Sequence, residues 1–211
     1  MKKLLFIISA FVLCQNISAQ VVKDYFKKSP KELFISVDSI NRVRMCDLKE
    51  QGLFSGAVTI FGDTITVIDM KDDFMSFSYS NVDVQIRLAD KKTIIVSKTV
   101  SAPLADSELY FYDTDWELKS SWIYGAKRSK MVPNDKELFA QLVVKPDTMS
   151  VEEFDRLKLY FDPLLVKAVL SDKQNELIVE PLCPLLNDEE KARIKPLLTS
   201  KTFKWIKGRF K

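Results

Sequence analysis

Six short β-prone runs follow one another between Ala57 and Tyr112, and the links between them leave almost no choice of topology. The runs are Ala57–Phe61, Thr64–Met70, Phe74–Tyr79, Val82–Leu88, Thr93–Val100 and Ser107–Tyr112. Gly62-Asp63, Lys71-Asp72-Asp73, Ser80-Asn81, Ala89–Lys92 and a segment around Ala102-Pro103 join them. A parallel pair needs a crossover of about a dozen residues or more, usually a helix, and no link is that long. The spacing predicts an antiparallel meander. Within Thr64–Met70, Ile65, Val67 and Asp69 alternate with Thr66, Ile68 and Met70, and Val82, Val84, Ile86 and Leu88 share one side of their run. That period of two suits strands with one buried and one wet face, as antiparallel sheets allow.

The last run carries the heaviest aromatic load. In S-E-L-Y-F-Y-D-T-D-W (Ser107–Trp116), Leu109 and Phe111 fall on one side and Glu108, Tyr110 and Tyr112 on the other. The Leu109/Phe111 side is expected to face inward. Asp113-Thr114-Asp115 supplies turn formers, since Asp side chains bond nearby backbone. Trp116 is expected to resume an extended run, closing a hairpin.

Helices flank the meander. Ser29-Pro30-Lys31-Glu32 reads as a capping box that starts a helix near Pro30, with Leu33, Phe34, Val37 and Ile40 inward. Arg42–Gln51 is a second helical pattern holding Val43, Cys46 and Leu48, and Gly52 stops it. Lys119–Asn134 reads as a connection. Leu138–Lys145 then reads as a strand, and Ser150-Val151-Glu152-Glu153 opens a helix to Phe161 with Phe154, Leu157 and Phe161 on one stripe. Leu164–Leu170 and Glu176–Leu182 form a second hairpin, Asn187 with Glu190 caps a helix stopped near Pro196, and Thr202–Ile206 is the last strand. The fold class is therefore α+β: a mainly antiparallel meander with flanking helices. The expected divisions are a signal peptide at 1–19, a helical start plus meander at 20–122, a connection at 123–137 and a second α+β half at 138–211 packed on the first.

Lys2 and Lys3 precede an apolar run, Leu4–Leu13, and Ile17-Ser18-Ala19 offers a cleavage point. That run is too short to span a bilayer, which takes about 20 apolar residues. Export to the periplasm or beyond follows as the expectation, with no transmembrane span after cleavage. Cys46 and Cys183 then remain, and an oxidising compartment makes them one candidate disulfide.

The formal charge of the chain is +3, but residues 191–211 carry eight Lys or Arg and no acid. The body is thus acidic and the tail basic. Phe203, Trp205 and Phe210 interleave with the tail's cations, so Lys204, Lys207, Arg209 and Lys211 form a candidate contact for an anionic lipid or acidic glycan surface. Docking of the tail on the acidic body is the competing reading. Nucleic acid is not expected as a partner of an exported chain; an envelope protein is.

Chemistry is bounded mostly by what the chain lacks. It contains no histidine, which removes Ser–His–Asp and Cys–His activation in their ordinary forms and every His-based metal site. Its five glycines follow no phosphate-cradling order, and there is no C-x-x-C. Asp113 with Asp115, and Asp69 with Asp72 and Asp73, sit at turns, where backbone bonding explains Asp. No catalytic residue, metal or cofactor is expected. Tyr110, Tyr112, Trp116 and Trp122 are the candidate ligand-binding set, lining a peptide or carbohydrate groove. The alternative is that they are cross-strand pairs covering a sheet face.

Through S-E-L-Y-F-Y-D-T-D-W, T-V-S-A-P-L-A-D (Thr99–Asp106) and F-K-W (Phe203–Trp205), the chain resembles an uncharacterised domain-of-unknown-function family of small secreted proteins from Bacteroides-type bacteria. The specific part is F-Y-D-T-D-W (Phe111–Trp116). The resemblance implies export from a Gram-negative cell and carries over no site residues. More loosely, the strand–turn pattern is similar to PepSY-like α+β domains, which implies two similar halves. The expected function is that of an exported, non-enzymatic binding or accessory protein of the cell envelope; the alternative is a hydrolase cutting envelope glycans through a carboxylate pair.

Overall fold

The computed structural model describes residues 21–34, 37–101, 103–173 and 175–211. The expected leader at 1–19 and the link residue Ala102 lie outside them. Seven strands run in chain order as one antiparallel sheet: β1 (Gly56–Val58), β2 (Thr64–Met70), β3 (Phe74–Tyr79), β4 (Val82–Asp90), β5 (Thr93–Ser101), β6 (Ala105–Tyr112) and β7 (Leu118–Ile123). The expected meander is the observed one, with the first run shortened and a strand gained from the presumed connection. A second antiparallel sheet holds β8 (Val166–Leu170), β9 (Glu176–Pro181), β10 (Lys201–Ile206) and β11 (Arg209–Phe210), in the order β11-β10-β9-β8. The architecture is α+β, and the halves differ in strand number and order.

Among the described residues two helices precede the large sheet, α1 (Val22–Lys28) and α2 (Ser39–Glu50). The expected helix start at Ser29-Pro30 is in fact a helix end. Proline pushes the preceding residue out of the helical region, and Ser29 sits at ψ 147° while its hydroxyl donates to the Phe26 carbonyl at 2.8 Å. Lys31–Phe34 then make a turn. Phe34 and Val37 are buried as expected, but Ile40 is 79% exposed, because the second helix begins afresh at the Asp38 cap, whose carboxylate accepts the Asn41 N–H at 2.9 Å. Arg42 of α2 is buried and donates to the Ser29 carbonyl at 2.6 Å, and to the Ser29 hydroxyl. Its charge thereby answers the unpaired carbonyls at the end of α1.

The sheet is covered on both sides, which corrects the expected wet face. On one side α1 and α2 bury Val22, Phe26, Met45 and Cys46 against Ile65, Val67, Met75, Phe77, Ile86 and Val96. On the other, Leu109, Phe111, Trp122 and Ile95 share a core with Leu164, Val166, Leu177, Val179, Phe203 and Phe210 of the second half. Leu109 and Phe111 face inward as expected, both fully buried. Large apolar side chains stay in water at the sheet's margins: Val58 and Ile68 on the far side of β1 and β2 are 67% and 58% exposed, and Leu118 at the start of β7 is 51% exposed.

Side chains rather than a neighbouring strand seal the β8 edge against the large sheet. Ser107 Oγ accepts the Ala168 N–H at 2.9 Å, Gln85 Oε1 accepts the Leu170 N–H at 2.7 Å, and Ser97 Oγ donates to the Ala168 carbonyl at 2.7 Å. An edge strand with its backbone groups answered this way is protected from stray pairing.

The second half adds α3 (Asp135–Leu142), α4 (Val151–Leu157), a 3₁₀ turn at Lys158–Phe161, and α5 (Asp188–Ile194). The caps expected at Ser150 and Asn187 are present, accepting from the Glu153 and Glu190 N–H groups at 3.1 and 2.9 Å. Of the strand expected over Leu138–Lys145, Leu138–Leu142 are instead the end of α3, and only Val143 makes a β-bridge, to Leu198. Asn134 caps that helix through the Glu137 N–H at 3.0 Å, and Leu138 and Leu142, four apart, both reach the core.

Candidate ligand groove

Where the helical layer ends, the sheet side beneath it opens into a cavity of about 300 Å³ lined by Glu32, Leu33, Phe34, Tyr79, Val84, Val96, Lys98, Tyr110 and Tyr112. The turn at Lys31–Phe34 makes one wall. Phe34 drops from it into the core, 5.7 Å edge-on to Phe77 and 6.0 Å edge-on to Trp116, which leaves Leu33 and Glu32 along the rim. Strand register makes the floor. Lys98 stands opposite Val84 on β4 and Glu108 on β6, and Val96 stands opposite Tyr110, so these side chains share one side of the sheet. Tyr110 and Tyr112 stack at 6.4 Å with their planes 23° apart.

Polar chemistry in the groove is sparse. The Tyr110 hydroxyl donates to the Glu108 carboxylate. Burial first, and that hydrogen bond second, push the phenol's pKa up, so Tyr110 stays a neutral donor. Lys98 makes no ion pair among the described residues. A mostly apolar hollow with few polar groups is the ordinary form of a small-ligand site.

Of the four aromatics read as a binding set, two line this groove and two do not. Tyr110 and Tyr112 are in it. Trp116 lies behind Tyr112, ring centroids 5.4 Å apart, and its indole N–H donates to the Tyr25 carbonyl at 3.1 Å. It does not resume a strand. It closes the turn at φ 65°, a left-handed value that bulky residues rarely adopt. Asp113 organises that turn by accepting the Asp115 and Glu117 N–H groups at 3.0 and 2.9 Å. Trp122 is buried on the opposite side of the sheet, in the core shared with the second half. Glu32, Leu33, Tyr79 and Lys98 were not picked out from the sequence. Tyr79 and Lys98 could have been, by extending the alternation of Phe77–Tyr79 and Val96–Lys98, but only the strand register brings them to Tyr110.

Lys204, Lys207, Arg209 and Lys211 lie on the exposed side of the C-terminal hairpin. Phe203 and Phe210, expected among them at the surface, are buried in the core. Cys46 and Cys183 are free and belong to cores on opposite sides of the large sheet, so the candidate disulfide is absent. Burial pushes the Cys46 thiol from its ordinary 9.0 to about 11. Native protein alkylated at about pH 8 is therefore expected to carry label on Cys183 and not on Cys46. Labelling both in peptide mass spectra of folded protein would contradict that burial. Because the native thiol holds its proton above the value of an unfolded one, stability falls as pH rises through that interval. No group of three or more Cys, Asp or Glu is placed to hold a metal among the described residues.

A family model described as a protein of unknown function, DUF3256, matches residues 14–210. The chain belongs to the DUF3256 family. No functionally curated protein matches it. Among solved structures, a domain of an uncharacterized protein from Porphyromonas gingivalis W83 is similar at a TM-score of 0.66 and 20% identity, over 90% of this chain and 98% of that one. That likeness extends the fold to a second, distant sequence and leaves the DUF3256 groove to be argued from its own residues.

Proposed function

We propose that the protein is an exported, non-enzymatic binding or accessory module of the cell envelope, and that the Tyr79–Lys98–Tyr110 groove holds its ligand. The groove carries this reading: it is an aromatic-walled hollow opening beside a layer that otherwise closes the sheet. The lysine-led apolar start of the chain and the resemblance to secreted Bacteroides-type proteins support export. Lys98 and Glu32 balance in charge, so the lining favours a small neutral or zwitterionic ligand, a short peptide or saccharide able to lie on tyrosine faces. Hydrolysis by a carboxylate pair is the weaker reading. Glu32 is the one carboxylate among the lining residues, while Glu108 is engaged by Tyr110, and a glycosidase needs two acids flanking the bond.

The test is ligand-observed NMR with a panel of neutral oligosaccharides and tripeptides, run on wild type and Tyr110→Ala. At least one panel member is expected to bind wild type and to lose about tenfold or more in affinity in the variant. Binding indifferent to Tyr110, or turnover of any glycan, would count against the proposal. Cell fractionation with N-terminal mass determination tests export, a mature start at Gln20 being the expected result.

A further inference from the structure

Two basic segments far apart in the sequence meet in the fold. The β10–β11 hairpin turns through Lys207 and Gly208 at φ 51° and 79°, a two-residue turn whose twist matches its strands. Trp205 pairs with Phe210 across the hairpin and both side chains turn to the core. The alternate positions face out. Lys204 stands opposite Lys211, their backbones exchanging hydrogen bonds of 2.9 and 3.0 Å, and Ile206 stands opposite Arg209. Like charges directly opposed across a ribbon are destabilising, a cost that comes with the register set by the inward Trp205–Phe210 pair. Beside it the Phe210 N–H donates to the Met131 carbonyl at 2.8 Å, so the Lys127-Arg128-Ser129-Lys130 loop, held on β7 through the Ile123–Lys127 bridge and the Ser120–Ser129 hydroxyl bond, leads directly into the hairpin's edge.

Lys127, Arg128, Lys130, Lys204, Lys207, Arg209 and Lys211 are all exposed. Among the described residues their one ion pair joins Lys204 to the half-buried Glu176 at 3.8 Å. The other acid on that side of the sheet, Glu180 of β9, stands opposite Lys167. Ile206 lies among the cations, 42% exposed.

We propose that this composite surface, the 127–130 loop with the β10–β11 hairpin, seats the protein on an anionic membrane surface. Seven cations outnumber the acids beside them, Glu176, Glu180 and Asp90, whose carboxylate accepts the Trp205 indole N–H at 2.9 Å, and complement lipid phosphates. Ile206, beside Lys207 and opposite Arg209, is an apolar side chain that a headgroup–acyl boundary takes up, whereas a hydrophilic polyanion offers it nothing. No helix among the described residues is long and apolar enough to cross a membrane, so the contact is peripheral.

Vesicle flotation of the full chain tests this, with phosphatidylglycerol mixed into phosphatidylcholine against phosphatidylcholine alone, at low and high salt. Three variants accompany wild type: Lys204→Gln/Lys207→Gln/Arg209→Gln/Lys211→Gln, Lys127→Gln/Arg128→Gln/Lys130→Gln, and Ile206→Ser. Every substituted side chain is exposed, and circular dichroism checks that each variant is folded. Wild type is expected to float with the anionic vesicles and to lose them at high salt. Each neutralised set is expected to weaken binding on the order of 100-fold or more, and Ile206→Ser to weaken it while leaving its salt dependence. Failure of folded wild type to bind, or full binding by either neutralised variant, would overturn the proposal. So would capture by soluble dextran sulfate equal to that by vesicles and indifferent to Ile206, which would assign the surface to an acidic glycan.

Discussion

Phe111→Ala is expected to remove about 3–5 kcal/mol of stability and to do so without splitting the unfolding transition. Phe111 is fully buried, stacked on Trp205 at 6.0 Å and tilted against Phe210 at 6.4 Å. It is a strand residue of the large sheet whose ring belongs to a core completed by the C-terminal hairpin. Truncation leaves a cavity bounded by both sheets, and neither can collapse into it without moving the other. Urea unfolding followed by tryptophan fluorescence and by far-UV circular dichroism checks this. A shared core predicts coincident curves for wild type and variant. Separate transitions, with the second half melting first, would show two cores where one is described.

The second large effect concerns a residue at the surface. Asp73 is more than half exposed, and exposed ion pairs ordinarily contribute little. Its partner is not exposed. Arg87 is 1% exposed; it donates to Asp73 at 2.6 Å and to the Ser171 carbonyl of the β8–β9 turn, with Phe74 beneath its guanidinium at 5.1 Å. Burial lowers the Arg87 pKa, and Asp73 opposes that shift. Asp73→Ala therefore strands a buried cation, and a loss of about 3 kcal/mol is expected. Arg87→Leu gives up the pair, the tie to Ser171 and the cation–π contact together, but leaves no buried charge, and is expected to cost somewhat less. Denaturant midpoints at constant slope measure both. An Asp73→Ala effect near that of ordinary surface substitutions would show that the guanidinium is solvated.

The meander was legible because its strands are short, alternating and closely linked, and nothing but antiparallel pairing accommodates such links. What misled was local chemistry with two meanings. Ser29-Pro30 carries the residues of a helix start, yet the preceding Val22–Lys28 helix takes the serine as its end, and proline enforces the break. Leu138–Lys145 offered a β-prone run, and the Asn134 cap before it decided for helix. The covered second side of the sheet was hidden for a different reason. Ser97 and Ser107 are polar, and only the approach of β8 makes them buried partners of its backbone. The groove was half legible. Tyr110 and Tyr112 announce themselves within one strand, whereas Tyr79 and Lys98 reach them through cross-strand register that no single run contains.

The reading of the groove rests on the large sheet being closed over β4, β5 and β6 on both sides, so that the Tyr79–Tyr110 corner is an opening in a sealed layer. Native-state hydrogen exchange tests that closure most directly. Amides of β4–β6 are expected to exchange only through global unfolding, their opening free energies equal to the denaturant value, while β1 exchanges by local fraying. Sub-global exchange of β5 and β6 together with residues 138–211 would contradict it, because those strands would then open with the second sheet while the rest of the large sheet stays folded.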